Sequence, residues 1–254
     1  MSTGGKPVND LRDEALKQAR EKLKESAERD RLMVKAVNLY DELGNNVSKE
    51  MERFRDWYSL YFPELEEEIS EDEHLVKILS KTVERDRVAG FEELAESSTG
   101  MTLTDKDIEV LEESLNVIEK KRSHRENLEK YIEQVAEEEM SNLSTVLGPL
   151  LAARIVALAG SLEDLAKKPA STVQMLGAEK ALFRYLHGEG TPPKHGVIFQ
   201  HRFINSLPES KRGKMARFLA NKAVMAARLD QYGDKEKGEE LRQECLERFE
   251  DLKN

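Results

Sequence analysis

The most regular pattern in the chain runs from Met33 to Tyr61, where Met33, Val37, Tyr40, Gly44, Val47, Met51, Phe54, Tyr58 and Tyr61 follow at alternating steps of four and three residues. That repeat keeps one helical face apolar and predicts a coiled-coil seam. Glycine weakens a helix interior by about 1 kcal/mol relative to alanine, so Gly44 predicts a bend or a close approach of another segment. Pro63 closes the helix. The charged stretch before the seam, 10–31, has only a thin stripe of Leu11, Ala15, Leu16, Ala19 and Leu23, which predicts a helix that needs a partner; 1–7 reads as an irregular leader. Beyond Pro63, the groups Leu75, Val76, Ile78, Leu79 and Val88, Phe91, Leu94 lie in an acidic background that ends at Ser97-Ser98-Thr99-Gly100. This predicts short helices at a hairpin tip. Thr104 and Asp107 form an N-cap pattern opening a second long helix with Ile108, Leu111, Leu115, Ile118, and then Leu128, Ile132 and Val135. The stretch 120–126 between the two stripes reads as a solvated patch. Two arms of about 30 to 35 residues give a rod about 45 to 50 Å long at the rise of an α-helix.

From Asn142 the pattern changes to short helical runs, Leu143 to Ala159, a turn from Ser161, and Val173 to Leu176 after Pro169. Only Gly196 to Gln200 has strand character, and it reads as an extended piece of loop. A globular helical domain fits 141–233. The charged end, 234–254, is amphipathic through Leu241, Cys245, Leu246, Phe249 and Leu252 and reads as a helical tail. The predicted class is therefore all-α: a long antiparallel coiled-coil hairpin over 32–140 and a globular helical domain over 141–233, flanked by 1–31 and 234–254.

Composition agrees with helix and adds an electrical division. Aromatics are 6% and charged residues 35% of the chain, with a net charge of -10. The segment 141–233 holds 13 Lys and Arg against 6 Asp and Glu, whereas the remainder holds 27 against 44. A basic module on an acidic body concentrates attraction for phosphate in one place and repels it elsewhere. The lone Cys245 excludes an internal disulfide and a multi-cysteine metal site, and reads as a packing residue in a reducing compartment. The longest apolar stretch, Leu147 to Leu158, is interrupted by Arg154 and is shorter than a membrane span of about 20 residues.

Catalytic chemistry has little to stand on. There is no phosphate-binding glycine loop, dinucleotide fingerprint, HExxH or nucleophile elbow, and no two of the five histidines share the i,i+4 spacing of helical metal ligands. No enzyme, cofactor or metal is predicted. Basic residues are more informative. As a helix, Gly177-Ala178-Glu179-Lys180 through His187 places Lys180, Arg184 and His187 on one stripe and Leu182, Phe183 and Leu186 on another, predicting one cationic and one packed face. Its start after glycine adds backbone N–H groups and the helix dipole to the attraction for a phosphate. The stiff loop Gly190 to Gly196 presents Lys194 and an imidazole, His195, suited to stacking on an unpaired base. Lys211 to Lys214 opens another basic helix, with Arg212, Lys214 and Arg217 as contacts. Three such elements within 40 residues predict a composite RNA face.

Asn142-Leu143, Leu147-Gly-Pro-Leu-Leu-Ala-Ala-Arg154, Pro169-Ala-Ser-Thr-Val-Gln174, Leu176-Gly-Ala-Glu-Lys-Ala-Leu-Phe-Arg184, Pro192-Pro-Lys-His-Gly196 and Arg212-Gly-Lys-Met-Ala-Arg217 through Asp230 resemble the Nop domain. Trp57 to Leu65 and the heptad arms resemble the family's coiled-coil domain. The resemblance, closest to archaeal scaffolds of box C/D small ribonucleoproteins, implies a non-enzymatic role in rRNA processing and guide-directed 2′-O-methylation. It implies recognition of a kink-turn guide RNA together with a bound small ribosomal-type protein, with Gly177, Ala178, Glu179, Lys180 and the His195 loop as contacts. It also implies a homodimer through the coiled coil, for which the surplus aromatic seam nominates Tyr40, Val47, Met51, Phe54 and Tyr58. Fibrillarin docks in the family on an amino-terminal α/β domain of which only the last helix, 10–31, is recognised, so stable fibrillarin recruitment is not expected. The expected location is the cytoplasm of an archaeon or the nucleolus of a eukaryote. A protein-binding helical spacer, or a spliceosomal-type Nop protein without a methylation role, is the alternative.

Overall fold

The computed structural model describes Arg12, Leu16, Lys17, 29–233 and 236–253. The charged helix expected over 10–31 falls outside these residues except for Arg12, Leu16, Lys17 and its last three positions. Among the described residues the chain is all-α, in two compact units: Asn38–Tyr131, called here the hairpin unit, and Met1–Val37 with Ile132–Asn254, called the C-terminal unit.

The hairpin unit is built on α1 (Arg29–Tyr58) and α5 (Asp105–Glu139). Within it they run antiparallel: Tyr40 Oη donates to Glu129 at 3.0 Å, and Lys121 Nζ meets Glu50 at 2.5 Å nearer the other end. A Cβ on Gly44 would lie 3.1 Å from Arg125 Nε, and the Arg125 guanidinium lies 4.2 Å from the Tyr40 ring centroid. Gly44 thus makes room for an arginine rather than a bend. Thr104 and Asp107 cap α5 as expected: Thr104 N donates to Asp107 Oδ2 at 2.8 Å. The helix runs through 120–126 without a break.

Between the arms lie α2 (Pro63–Glu68), α3 (Asp72–Leu79), a 3₁₀ turn at Arg85–Arg87 and α4 (Glu92–Glu96). Pro63 starts α2 rather than merely ending α1, consistent with its preference for the first helical turn. These short elements bring Leu65, Ile69, Leu75, Val76, Leu79, Val83 and Val88 onto the α1 seam, which already faces Leu111, Leu115 and Ile118 of α5. The polar ends are secured as well. Tyr58 Oη donates to Val83 O at 3.1 Å, and burial raises the phenol's pKa. Arg55 donates to Asp72, Glu66 and Ile69 O.

This arrangement corrects the seam assignment. Tyr40, Met51, Phe54 and Tyr58 are 4%, 1%, 3% and 0% exposed, and Val47 is half-buried. The chain's own tip covers Val47, Met51, Phe54 and Tyr58, and Tyr40 lies against Arg125 and Glu129 of α5, so the apolar surface that suggested a second copy is used within the chain.

In the C-terminal unit the core is formed by α6 (Ser141–Leu147), α7 (Pro149–Ala159), α8 (Leu162–Lys167), α9 (Ala170–Met175), α11 (Arg202–Asn205), α12 (Glu209–Tyr232) and α13 (Gly238–Lys253), while α10 (Glu179–Leu186) contributes no buried residue. Alanines 216, 220, 223, 226 and 227 of α12 are fully buried, and their small side chains allow neighbouring helices close approach. Asp230, near its end, accepts from Asn142 N, Asn142 Nδ2 and Leu143 N at 3.0, 2.8 and 2.9 Å, holding the start of α6. Asp30 Oδ2 accepts Leu162 N at 2.9 Å, so the first turn of α1 belongs with this unit.

The terminal helix is not a loose tail. Leu241, Cys245 and Leu252 are buried, and Phe249 stacks on Phe203 at 4.8 Å. Burial pushes the Cys245 thiol up to about 12, which keeps it protonated. No single described helix is long and apolar enough to cross a membrane.

Candidate nucleic-acid interface

The expected extended piece at Gly196 to Gln200 is instead a 3₁₀ turn, Val197–Gln200, preceded by a tightly fastened loop. Gly196 N donates to Gln174 O and Val197 N to Leu176 O, both at 2.8 Å. A Cβ on Gly196 would fall 1.9 Å from Leu176 O, so only glycine fits. Gly177, at φ 82°, would place its own Cβ 3.2 Å from Val197 Cβ. These two glycines bring the His195 loop against the segment that leads into α10.

Curling that segment sets His195 against Phe199, ring centroids 4.6 Å apart and nearly parallel. One imidazole face is therefore already used. Burial lowers the His195 pKa against a backbone hydrogen bond that raises it, and the Arg212 and Lys194 charges add to the lowering. Lys194 Nζ pairs with Glu209 at 2.8 Å, while its carbonyl accepts from Gln174 Nε2 at 2.7 Å. Arg212 donates Nε to Leu207 O at 2.7 Å and lies over the Phe199 ring at 5.4 Å. It clips the 205–208 turn, is partly buried, and has part of its guanidinium committed to that turn.

Lys214 and Arg217 are exposed. With Lys194, Gln174, Ser171 and Gly213 they line a cleft of about 510 Å³. Sequence reasoning missed Ser171, Gln174 and the carboxylate of Glu209; polar residues of this kind carry no periodic signal. Lys180 and Arg184 are not among the lining residues, so the structure gathers Lys194, Lys214 and Arg217 but leaves α10 as a separate element.

That helix departs from expectation in two ways. Two amides assigned to anion capture are already bonded: Gly177 N donates to Glu179 Oε1 at 2.8 Å, and Ala178 N to Met175 O at 3.0 Å. Glu179 thus tethers the turn before its own helix. The apolar face, expected to pack, is bare. Leu182, Phe183, Tyr185 and Leu186 are 38%, 62%, 41% and 70% exposed, and no residue of α10 is buried. His187 Nδ1 lies 2.9 Å from Phe183 O, and its ring sits against Phe183 at 4.1 Å, leaving one mixed surface of cations and rings.

The fold is thus an all-α hairpin unit with a second helical unit that bears a cationic cleft and a bare amphipathic helix. Residues 39–251 match the family model described as Nop, snoRNA binding domain, fibrillarin. The chain belongs to the Nop family. It is 38% identical over 221 residues to an uncharacterized NOP5 family protein of Methanocaldococcus jannaschii, covering 82% of this chain and 53% of that one. Human Nucleolar protein 56 is 33% identical over 242 residues, covering 87% and 41%. The chain therefore spans about half or less of these relatives. In the crystal structure of a fibrillarin/Nop5p complex, a chain matches with a TM-score of 0.58 and 25% identity, covering 99% of this chain and 88% of that one. The expectation that fibrillarin recruitment is absent finds no support, since this similar chain was solved in complex with fibrillarin.

Proposed function

We propose that this chain is an RNA-facing scaffold of a box C/D-type ribonucleoprotein that recognises a kink-turn RNA and its bound small protein as one surface, in support of guide-directed 2′-O-methylation. The observation that carries the reading is the pairing, within one unit, of the Lys194, Lys214 and Arg217 cleft with the exposed rings and cations of α10. Exposed cations attract phosphates, whereas exposed Leu and Phe side chains favour a partner that buries them. A composite of both fits an RNA–protein surface better than either alone. Membership of a family described by snoRNA binding supports the RNA, and the fibrillarin/Nop5p neighbour supports a place beside a fibrillarin-type methyltransferase. On this reading the protein works in the cytoplasm of an archaeon or the nucleolus of a eukaryote.

Self-association of the hairpin unit uses a surface other than its buried seam. A groove of about 490 Å³ between α1 and α5 exposes Trp57 and Val117 between Lys49, Arg53 and Glu50 on one side, the last of these paired with Lys121, and Glu113 on the other. Two copies related by a two-fold axis would match opposite charges across it.

The test is binding to the RNA alone, the small kink-turn-binding protein alone, and the two combined. Tight binding is expected only with the combination, and weakened binding for Lys180→Ala, Lys214→Gln and Phe183→Ala. Wild-type affinity in all three variants overturns the assignment in favour of a protein-binding spacer.

A further inference from the structure

The C-terminal unit contains a second cationic cavity, of about 350 Å³, lined by Gly148, Gln200, His201, Arg202 and Arg242 among others. It shares no lining residue with the Lys194 cleft, and none of its lining residues is acidic. On a chain with 50 Asp and Glu, two arginines line this cavity, and the one carboxylate paired with them among the described ion pairs, Glu239, is not part of the lining. Arg202 is exposed, lies 5.1 Å from the Phe203 ring, and has no carboxylate partner among the described ion pairs. Arg242 gives one N–H to Glu239 at 2.8 Å and keeps the rest of its fork. Gln200 is oriented by Arg154, whose Nη1 donates to its Oε1 at 2.8 Å.

Another wall is the start of α7, an eleven-residue helix entered from Gly148 at φ 83° with no side-chain cap. Pro149 has no N–H, so the amides of Leu150 and Leu151 lie at the positive end of the helix dipole. His201 is held in one state by its neighbours: Nδ1 accepts Phe203 N at 3.2 Å. Burial, and then Arg202 and Arg242, push its pKa down to about 4, as expected beside concentrated positive charge.

We infer that this pocket binds a phosphate group through Arg202, Arg242 and the first amides of α7, and, resting on the RNA-binding reading above, that in the assembled particle the group is a phosphodiester of the RNA strand. Arginine forks and helix-start amides are complementary to a phosphate, which accepts from several donors at once.

The experiment uses the full chain with two probes, inorganic phosphate and a kink-turn RNA, read by amide and arginine Nε–H chemical shifts. Inorganic phosphate is expected to move Leu150, Leu151 and Arg202 in the wild type and equally in the Lys214→Gln/Arg217→Gln cleft variant. Arg202→Gln or Arg242→Gln should weaken that response about tenfold or more. Neither arginine is buried, so both variants should keep the native helical signal. RNA moving the same resonances, with a salt slope reduced by about 1 in Arg202→Gln, identifies the strand as the source. Phosphate moving them while RNA leaves them still supports the pocket but overturns its assignment to the strand. Failure of RNA to bind at all overturns the scaffold reading and not the phosphate site. Phosphate that moves only cleft residues, or moves the pocket equally in Arg202→Gln, overturns the site itself.

Discussion

The hairpin unit and helix α10 carry similar aromatic and aliphatic side chains and dispose of them in opposite ways. Phe54, Tyr58 and Phe62 lie under the short helices of the hairpin tip, at 3%, 0% and 0% exposure, whereas Phe183 and Leu186 stand at 62% and 70%. The first group stabilises the fold, and the second contributes little to it and remains available. An apolar stripe therefore becomes core or docking surface according to whether the same chain returns to cover it. The 64–100 segment does so for α1, and among the described residues no segment does so for α10.

The sharpest way to break this comparison is to truncate one ring from each region. Phe54→Ala should cost about 3 to 5 kcal/mol in urea unfolding, followed by fluorescence of Trp57, the chain's only tryptophan. Phe183→Ala should shift stability by under about 0.5 kcal/mol while weakening the RNA–protein complex. Equal stability losses would refute the contrast.

Acid should next separate the units. His201, with a folded pKa of about 4 against an ordinary 6.5, contributes stability that is present above pH 6.5 and lost as pH falls toward 4, up to about 3 kcal/mol. The hairpin counterpart is Glu64, held down to about 2 by hydrogen bonds from Ser98 and Thr99; its contribution is present above pH 4.5 and lost as pH falls toward 2. Helical signal from the C-terminal unit should therefore weaken before Trp57 fluorescence responds, and His201→Gln should remove the earlier phase.

Each unit also contains a glycine that a methyl group cannot replace without backbone movement. A Cβ would lie 2.0 Å from Tyr61 O at Gly100 and 1.9 Å from Leu176 O at Gly196. Either alanine variant should cost about 1 to 3 kcal/mol, measured by thermal unfolding. Only Gly196→Ala should also weaken RNA binding, because it lifts the loop away from the cleft. The smallest effect is electrostatic: Lys214→Gln should reduce the salt slope of RNA binding by about 1, with stability unchanged.

Both arms, the Thr104 cap and the all-α class were legible because each is written in local spacing. The short helices of the tip were legible too, but not what they cover, since whether Leu75 or Val83 packs on Phe54 depends on a fold-back across dozens of residues. The cleft was legible in its cations but not in its constraints. Arg212 reads as a free phosphate ligand until the 205–208 turn brings Leu207 O to its Nε. His195 reads as a loop residue until Val197–Gln200 coils as 3₁₀ and delivers Phe199 beneath it. In both cases a short-range change of backbone shape decided the role, and residue type alone does not encode it.

The Lys194–Glu209 pair has a consequence for how this cleft is counted. Glu209 is an internal counterion: a carboxylate tied to the protein already neutralises one of the cleft's cations before any nucleic acid arrives. On the proposed RNA-binding reading, a phosphate that takes its place releases the strand's own condensed cations as at Lys214 and Arg217, but must also break the Lys194–Glu209 pair, so Lys194 adds less net affinity than a free lysine would. The bound strand must outcompete a tethered rival, which disfavours polyanions able to present only one phosphate at a time.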